Sequence, residues 1–269
     1  MTMIVLIALH ALVIAGVSAT LAYIVMRWSF SSKRHAKLAE RFNGLSVVGL
    51  NSGILLALGL AFIFNDISTV HSRAKTAVLQ EADAIRTLGR MSLNIDPSVG
   101  IPLMAATKEY TEAVLNKEWL AMRRDTSEDI RSGASSALTP LTVMSDIVYS
   151  SENIAKLPTV TSTHLAGLVS RIREQRLQRI DASDFSMGLR GYLLVSITLI
   201  TTAVLFTLTM LTKPSAQFIS NFFLFLVTFL AAYLAFSSQN PFHDLDAISP
   251  LPLQEAFDRL NAMTLTRQK

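Results

Sequence analysis

"GLNSGILLALGLAFIFND", Gly49 to Asp66, is the stretch on which the fold turns. Between Gly49 and Asn65 it holds no charged residue. Taken as a helix, Leu45–Phe64 rises about 30 Å, the thickness of a bilayer's hydrocarbon. Three other segments share this character: Ile4–Met26, Tyr192–Leu211 and Phe218–Phe236. None contains Asp, Glu, Lys or Arg. Four spans are therefore expected, two before and two after a polar block.

The composition agrees with that pattern. Hydrophobic residues make up 51% of the chain and charged residues only 16%, which argues against an ordinary soluble domain. Ile4–Met26 also has the length of a signal peptide, with Val17–Ala19 as a cleavage site. But no Lys or Arg precedes the run, and Tyr23, Arg27 and Trp28 close it like an interfacial anchor, so a retained span is expected. Without cysteine there are no disulfides, thiolate metal sites or Cys nucleophiles. The formal charge of +4 is spread over flanks and helices, so no nucleic-acid partner is expected.

The expected organisation has four parts. Residues 1–64 carry spans one and two with a basic connector. Residues 65–189 form an extramembrane helical block. Residues 190–237 carry spans three and four. Residues 238–269 form a Pro-Phe hinge and an amphipathic tail. The connector holds Arg27, Lys33, Arg34, Lys37 and Arg41 against Glu40, a cytoplasmic signature. Arg171, Arg173, Arg176, Arg179 and Arg190 crowd the far end of the block, so its sidedness stays open.

Within the block, Val70, Ala74, Val78, Ala82, Ile85 and Leu88 recur at helical spacing. No Pro or Gly interrupts Ala61–Leu88, so the second span should continue as one long helix. "NIDPSVGIP" ends it, and Asp96 before Pro97 suits the start of another. Tyr110, Val114 and Leu120 suggest that second helix. Asp125–Ser127 can cap a third, and Pro158 ends that region. Leu165, Leu168, Ile172 and Ile180 mark a last helix, expected to run straight into the third span. The fold class expected is all-α: four transmembrane helices with an antiparallel helical bundle continuous with spans two and three.

No Gly-rich phosphate loop, paired-His motif or nucleophile motif is present, so no enzyme, metal or cofactor is expected. The five histidines lack partners at helical spacing and suit surface or interfacial roles. In "EADAIRTLGR", Glu81–Arg90, Asp83 and Arg86 stand three apart. This is either a solvated face with weak ion pairs or a place where Glu81 or Arg86 is buried between helices. Asn51, Ser52, Phe62, Phe64 and Asn65 give the second span its polar and aromatic features. They serve either close helix packing or a pore, with Phe62 or Phe64 as an apolar constriction. Arg190 at the mouth of the third span either snorkels to headgroups or attracts anions.

The layout, with "EADAIRTLGR" after the second span and "NPFHDLDAISP" after the fourth, resembles the bacterial DUF4239 family of bestrophin-like domain proteins. The matching residues are Glu81, Ala82, Ala84, Pro241, Phe242, Ile248 and Pro250. His243 and Asp244 stand where the family usually has a glycine. The bestrophins themselves are oligomeric chloride channels whose second span lines the pore. The resemblance therefore implies a multi-pass protein of the bacterial inner membrane, a lipid bilayer and other copies of itself as partners, and anions as permeant. The alternative is a membrane sensor or scaffold whose helical block binds a partner or small ligand. Pro241 should end the fourth span, since it lacks an N–H and disfavours helix at Asn240. Leu253, Phe257 and Leu260 share one face of the tail, which packs on the block, on a neighbouring subunit or at the interface.

Overall fold

In the computed structural model, the described residues are 13, 16–21, 23–24, 27, 46–124, 127–185, 188–209, 214–243 and 247–267. All regular structure among them is helical. The helices are α1 (Ser46–Leu93), α2 (Pro97–Ala113), a π-helical turn (Val114–Glu118), α3 (Trp119–Arg124), α4 (Ser127–Tyr149), α5 (Ser151–Ala155), α6 (Thr159–Ser183), α7 (Gly188–Thr209), α8 (Pro214–Ser237) and α9 (Leu251–Arg267). The chain forms two compact units. One comprises Met1–Ile67 and Met187–Gln239, the other Ser68–Ser186 and Asn240–Lys269.

The first unit holds the start of α1 together with α7 and α8. Gly53–Leu93 and Phe218–Ala235 are long and apolar enough to cross a membrane, and Ser196–Leu205 is a shorter apolar stretch. Most of the first apolar segment lies outside the described residues. On α1, Leu56, Gly59, Ile63 and Ile67 are buried at steps of three and four. They are one stripe of a 3.6-residue helix.

The second unit is a helical bundle with one apolar core. Val78, Ile85 and Leu88 from α1 meet Leu103 and Tyr110 from α2, Leu141 and Met144 from α4, Leu165 and Ile172 from α6, and Leu253 and Leu260 from α9. As its apolar spacing requires, α1 continues unbroken from the first unit into the second. Asp96 then caps α2: its carboxylate accepts from Ser98 N at 2.8 Å, and Pro97 occupies the first turn, where a missing N–H costs nothing. Gly100 is required at this corner, because a Cβ there would collide with the main-chain oxygen of Ser92. Residues 125 and 126 of the expected α4 cap lie outside the described residues, and α4 begins at Ser127.

One expectation is corrected. The helix before the third apolar segment does not run into it. It ends at Ser183, where the Ser183 hydroxyl and the Asp184 N–H both donate to the Ile180 carbonyl. The Asp184 bond is the last of the i→i−4 ladder, the Ser183 hydroxyl competes with it for the same carbonyl, and α7 restarts at Gly188. Leu120, named with Tyr110 and Val114 as a mark of the second helix, is 47% exposed, and Trp119 at 3% takes the core position. The π turn is the cause. Trp119 N–H reaches back five residues to Val114 O, and the wider turn rotates Trp119 onto the buried face.

Candidate functional site

The second unit encloses a cluster of charged side chains. Glu81 lies on the α1 stripe one turn before Ile85 and Leu88. Glu118 closes the π turn, and Arg176 and Arg179 stand on the inner face of α6, which continues from Leu165, Leu168 and Ile172. All four charged groups are buried, Glu81 and Arg179 completely. Arg179 Nε donates to Glu81 Oε2 at 2.8 Å, and its Nη2 donates to Glu118 Oε1 at 2.6 Å and to Glu81 Oε1 at 3.2 Å. Arg176 grips Glu118 Oε2 with Nε at 3.0 Å and Nη2 at 2.9 Å. Tyr110 OH donates to Glu81 Oε1 at 2.6 Å.

Two carboxylates and two guanidiniums leave the cluster neutral, which is what burial demands. Burial by itself would lower the Arg179 pKa, but the adjoining Glu81 and Glu118 carboxylates outweigh it and hold the group more firmly protonated than usual. Burial, and then the Glu81 charge, push the Tyr110 phenol well above its ordinary value, so it stays a neutral donor. The cluster ties α1, the π turn and α6 into one register across 98 residues of sequence.

The Pro-Phe hinge reaches the same cluster. Trp119 packs its ring edge-to-face on Phe242, with centroids 5.1 Å apart and planes at 79°. The Arg179 guanidinium lies 5.8 Å from the Trp119 ring centroid. Asn240 Nδ2 donates to Met122 O at 3.0 Å, while its Oδ1 accepts from Phe242 N at 2.9 Å. Ile248 N returns to Pro241 O at 2.8 Å, closing the turn. Glu81, Ala82, Pro241 and Phe242 are all buried, and Pro250 precedes α9 half-buried. Glu81 and Phe242, two of the residues that carry the sequence resemblance, are thus linked through Arg179 and Trp119.

Of the two open readings of Glu81–Arg90, each holds for part of the stretch. Glu81 is buried between helices. Asp83 faces outward, its weak pair with Arg86 at 4.0 Å, and Arg86 lies equally far from Glu255 on α9. Glu118, Arg176, Arg179 and Trp119 were not legible as partners. One signal did exist: Gln175, Arg176 and Arg179 continue the apolar stripe of α6, and charges on a buried stripe require opposite charges across from them.

The span-two residues behave differently. Phe62 is 63% exposed and Leu55, Leu58 and Asn51 are also exposed, on a face of α1 turned roughly 110° from Leu56, Gly59 and Ile63. Asn51, Leu55, Leu58, Phe62 and Asn65 fall within about 40° of one line along the helix at 3.6 residues per turn. Phe64 is rotated roughly 200° from Phe62 and does not share that line. The side chains of Ser52 and Arg190 lie outside the described structure.

A sequence profile of the family described as Bestrophin-like domain matches residues 12–253. No curated protein matches the sequence significantly. Among solved structures, a variant of a bacterial bestrophin homologue from Klebsiella pneumoniae is 14% identical, with a TM-score of 0.67 over 96% of this chain and 98% of that one. Another variant of a bestrophin homologue from Klebsiella pneumoniae gives 0.61 over 96% of each chain at 14% identity. A structure described as a membrane protein gives 0.64 at 14% identity, over 96% and 98%. At these identities the likeness is one of fold.

Proposed function

The chain belongs to the Bestrophin-like family, and from that premise we propose that it is an oligomeric anion channel in which the exposed face of α1 lines the ion path. In this reading the four apolar segments span the bacterial inner membrane with both termini on one side. Residues 65–189 form an extramembrane block, and residues 190–237 supply the last two spans.

The observation that carries the proposal is the line Asn51, Leu55, Leu58, Phe62 and Asn65. These side chains point away from the chain's own core, and other copies arranged around an axis would turn them toward a shared lumen. Asn51 offers amide hydrogen bonds to a hydrated ion at one end, and Asn65 stands at the other. Leu55, Leu58 and Phe62 form an apolar constriction between them, which gates by dewetting. Phe62, on this line, is the better candidate for the narrowest ring; Phe64, off it, is the weaker one. Arg190 is the candidate for drawing anions toward the mouth.

Chloride flux into liposomes tests this, measured on protein of unchanged oligomer size. Phe62→Ala should widen and wet the ring and raise flux, while Phe64→Ala should leave it near the parent's. Asn51→Leu should lower it. No flux from parent or variants with assembly intact would remove the channel and leave a sensor or scaffold.

A further inference from the structure

The second unit contains a cavity that the proposed ion path does not use. It has a volume of about 570 Å³ and opens between the end of α1, one face of α2 and the last turns of α9. That size lies inside the range typical of small-ligand sites, roughly 300–1,000 Å³. Leu93 closes it from α1. Ile101, Met104 and Ala105 form its apolar wall on α2. One turn further along the same face stand Lys108 and then Glu112, with Glu109 at the edge. The cavity is therefore apolar at one end and carries both signs of charge at the other.

Those charges are not consumed internally. Among the described residues, no ion pair within 4 Å joins Lys108, Glu109 or Glu112 to any other group. Lys108 and Glu112 stand at the spacing that permits a helical salt bridge, yet they do not form one. Thr264, on the α9 wall, donates its hydroxyl proton to Leu260 O at 2.7 Å, so its oxygen offers only lone pairs to the cavity. The site thus presents one strong cation, two carboxylates and a neutral acceptor beside an apolar slot.

We propose that this cavity binds a zwitterion with an apolar body: an ammonium held by Glu112 and Glu109 beside Thr264, an anionic oxygen held by Lys108, and a hydrocarbon part against Ile101, Met104 and Leu93. A purely cationic amphiphile would meet Lys108, and a purely anionic one would meet two carboxylates. Only a ligand carrying both signs leaves no charge facing its like. Two sources share this chemistry, a free apolar amino acid and the headgroup of a phosphatidylethanolamine. The inference does not depend on whether the protein conducts.

Calorimetric titration of the full chain tests it, in nanodiscs made only of phosphatidylglycerol. The probes are L-phenylalanine and a lysophosphatidylethanolamine kept below its micelle concentration. At least one probe should bind saturably at a single site per chain, and which one binds identifies the source. Lys108→Gln and Glu112→Gln should each weaken that binding about tenfold or more, the loss of one charge-assisted contact. Both positions lie outside the core, so melting temperatures should match the parent's. The exchange K108E/E112K, which turns the site around without emptying it, should bind more tightly than either single variant. The proposal is overturned if neither probe binds, if both single variants bind as the parent does, or if dodecylammonium or decanoate binds as tightly as the zwitterion.

Discussion

Glu81 shows how much one side chain can fix. It sits where an apolar residue would complete the α1 stripe, and it is tolerated because Arg179 and Tyr110 meet both of its oxygens. A buried ion pair adds little net stability over apolar packing, but removing one partner strands the other. Glu81→Ala should therefore cost about 3–5 kcal/mol, because Glu118 alone is left to balance two buried arginines. Adding Arg179→Ala should recover part of that loss, so the double variant should melt above the sum of the single losses. Strictly additive losses would mean that the two side chains do not interact.

Tyr110 supplies a pH dependence at the same scale. In the unfolded chain the phenol ionises near 10.0; in the folded protein burial and Glu81 hold it neutral to well above that. Below that pH both states keep the proton, and the contribution is fully present. As pH rises past it, the unfolded state loses its proton first, so folding stability falls. Denaturation midpoints should decline more steeply above about pH 10 in the parent than in Tyr110→Phe, which has no phenol to titrate. Equal slopes would contradict a neutral, buried Tyr110.

Among the elements, the π turn is the one on which the cluster hangs. Its extra residue lets Glu118 and Trp119 both face inward, one onto the arginines and the other onto Phe242. Inserting one alanine after Asn116, which faces solvent, would advance every residue after it by about 100° and swing Trp119 outward by about a quarter turn. The aromatic near-ultraviolet circular dichroism of Trp119 should then collapse while helix content stays nearly constant. A retained tryptophan signal would show that the turn does not hold that side chain in place.

The same turn explains what could be read from the sequence and what could not. The long α1, the Asp96–Pro97 corner and the α9 face were legible because each rests on local rules of spacing, capping and proline geometry. The burial of Trp119 rather than Leu120 was not legible because a π turn has no spacing signature of its own; it shifts the helical phase of every residue after it. The end of α6 at Ser183 was missed because the apolar pattern runs on through Ile180, and the hydroxyl that competes for its carbonyl leaves no mark on that pattern. Of the cluster, Glu81 stood out as a motif residue and as one of two candidates for burial between helices. Its partners lie 29 and 98 residues away, pairings that no local rule reaches.

For the whole molecule, the hinge and the spans should separate experimentally. Insertion depends on the hydrophobicity of the spans, whereas Phe242 fixes how the chain packs once it has left them. Phe242→Ala should leave membrane insertion intact but cost about 3–5 kcal/mol of stability in the second unit, as a large-to-small core change does. Loss of insertion would mean that the hinge acts earlier than packing.

The central claim, that the exposed face of α1 lines an ion path, has a direct test because the chain contains no cysteine. Single cysteines placed in turn at Leu55, Leu58, Phe62, Ile63 and Asn65 can each be treated, in liposomes, with a bulky anionic thiol reagent during a flux measurement. Modification should stop flux for Leu55→Cys, Leu58→Cys, Phe62→Cys and Asn65→Cys, and leave it unchanged for Ile63→Cys, which is buried and lies roughly 120° around the helix from that line. Flux that is blocked equally at all five positions, or at Ile63 alone, would contradict the claim.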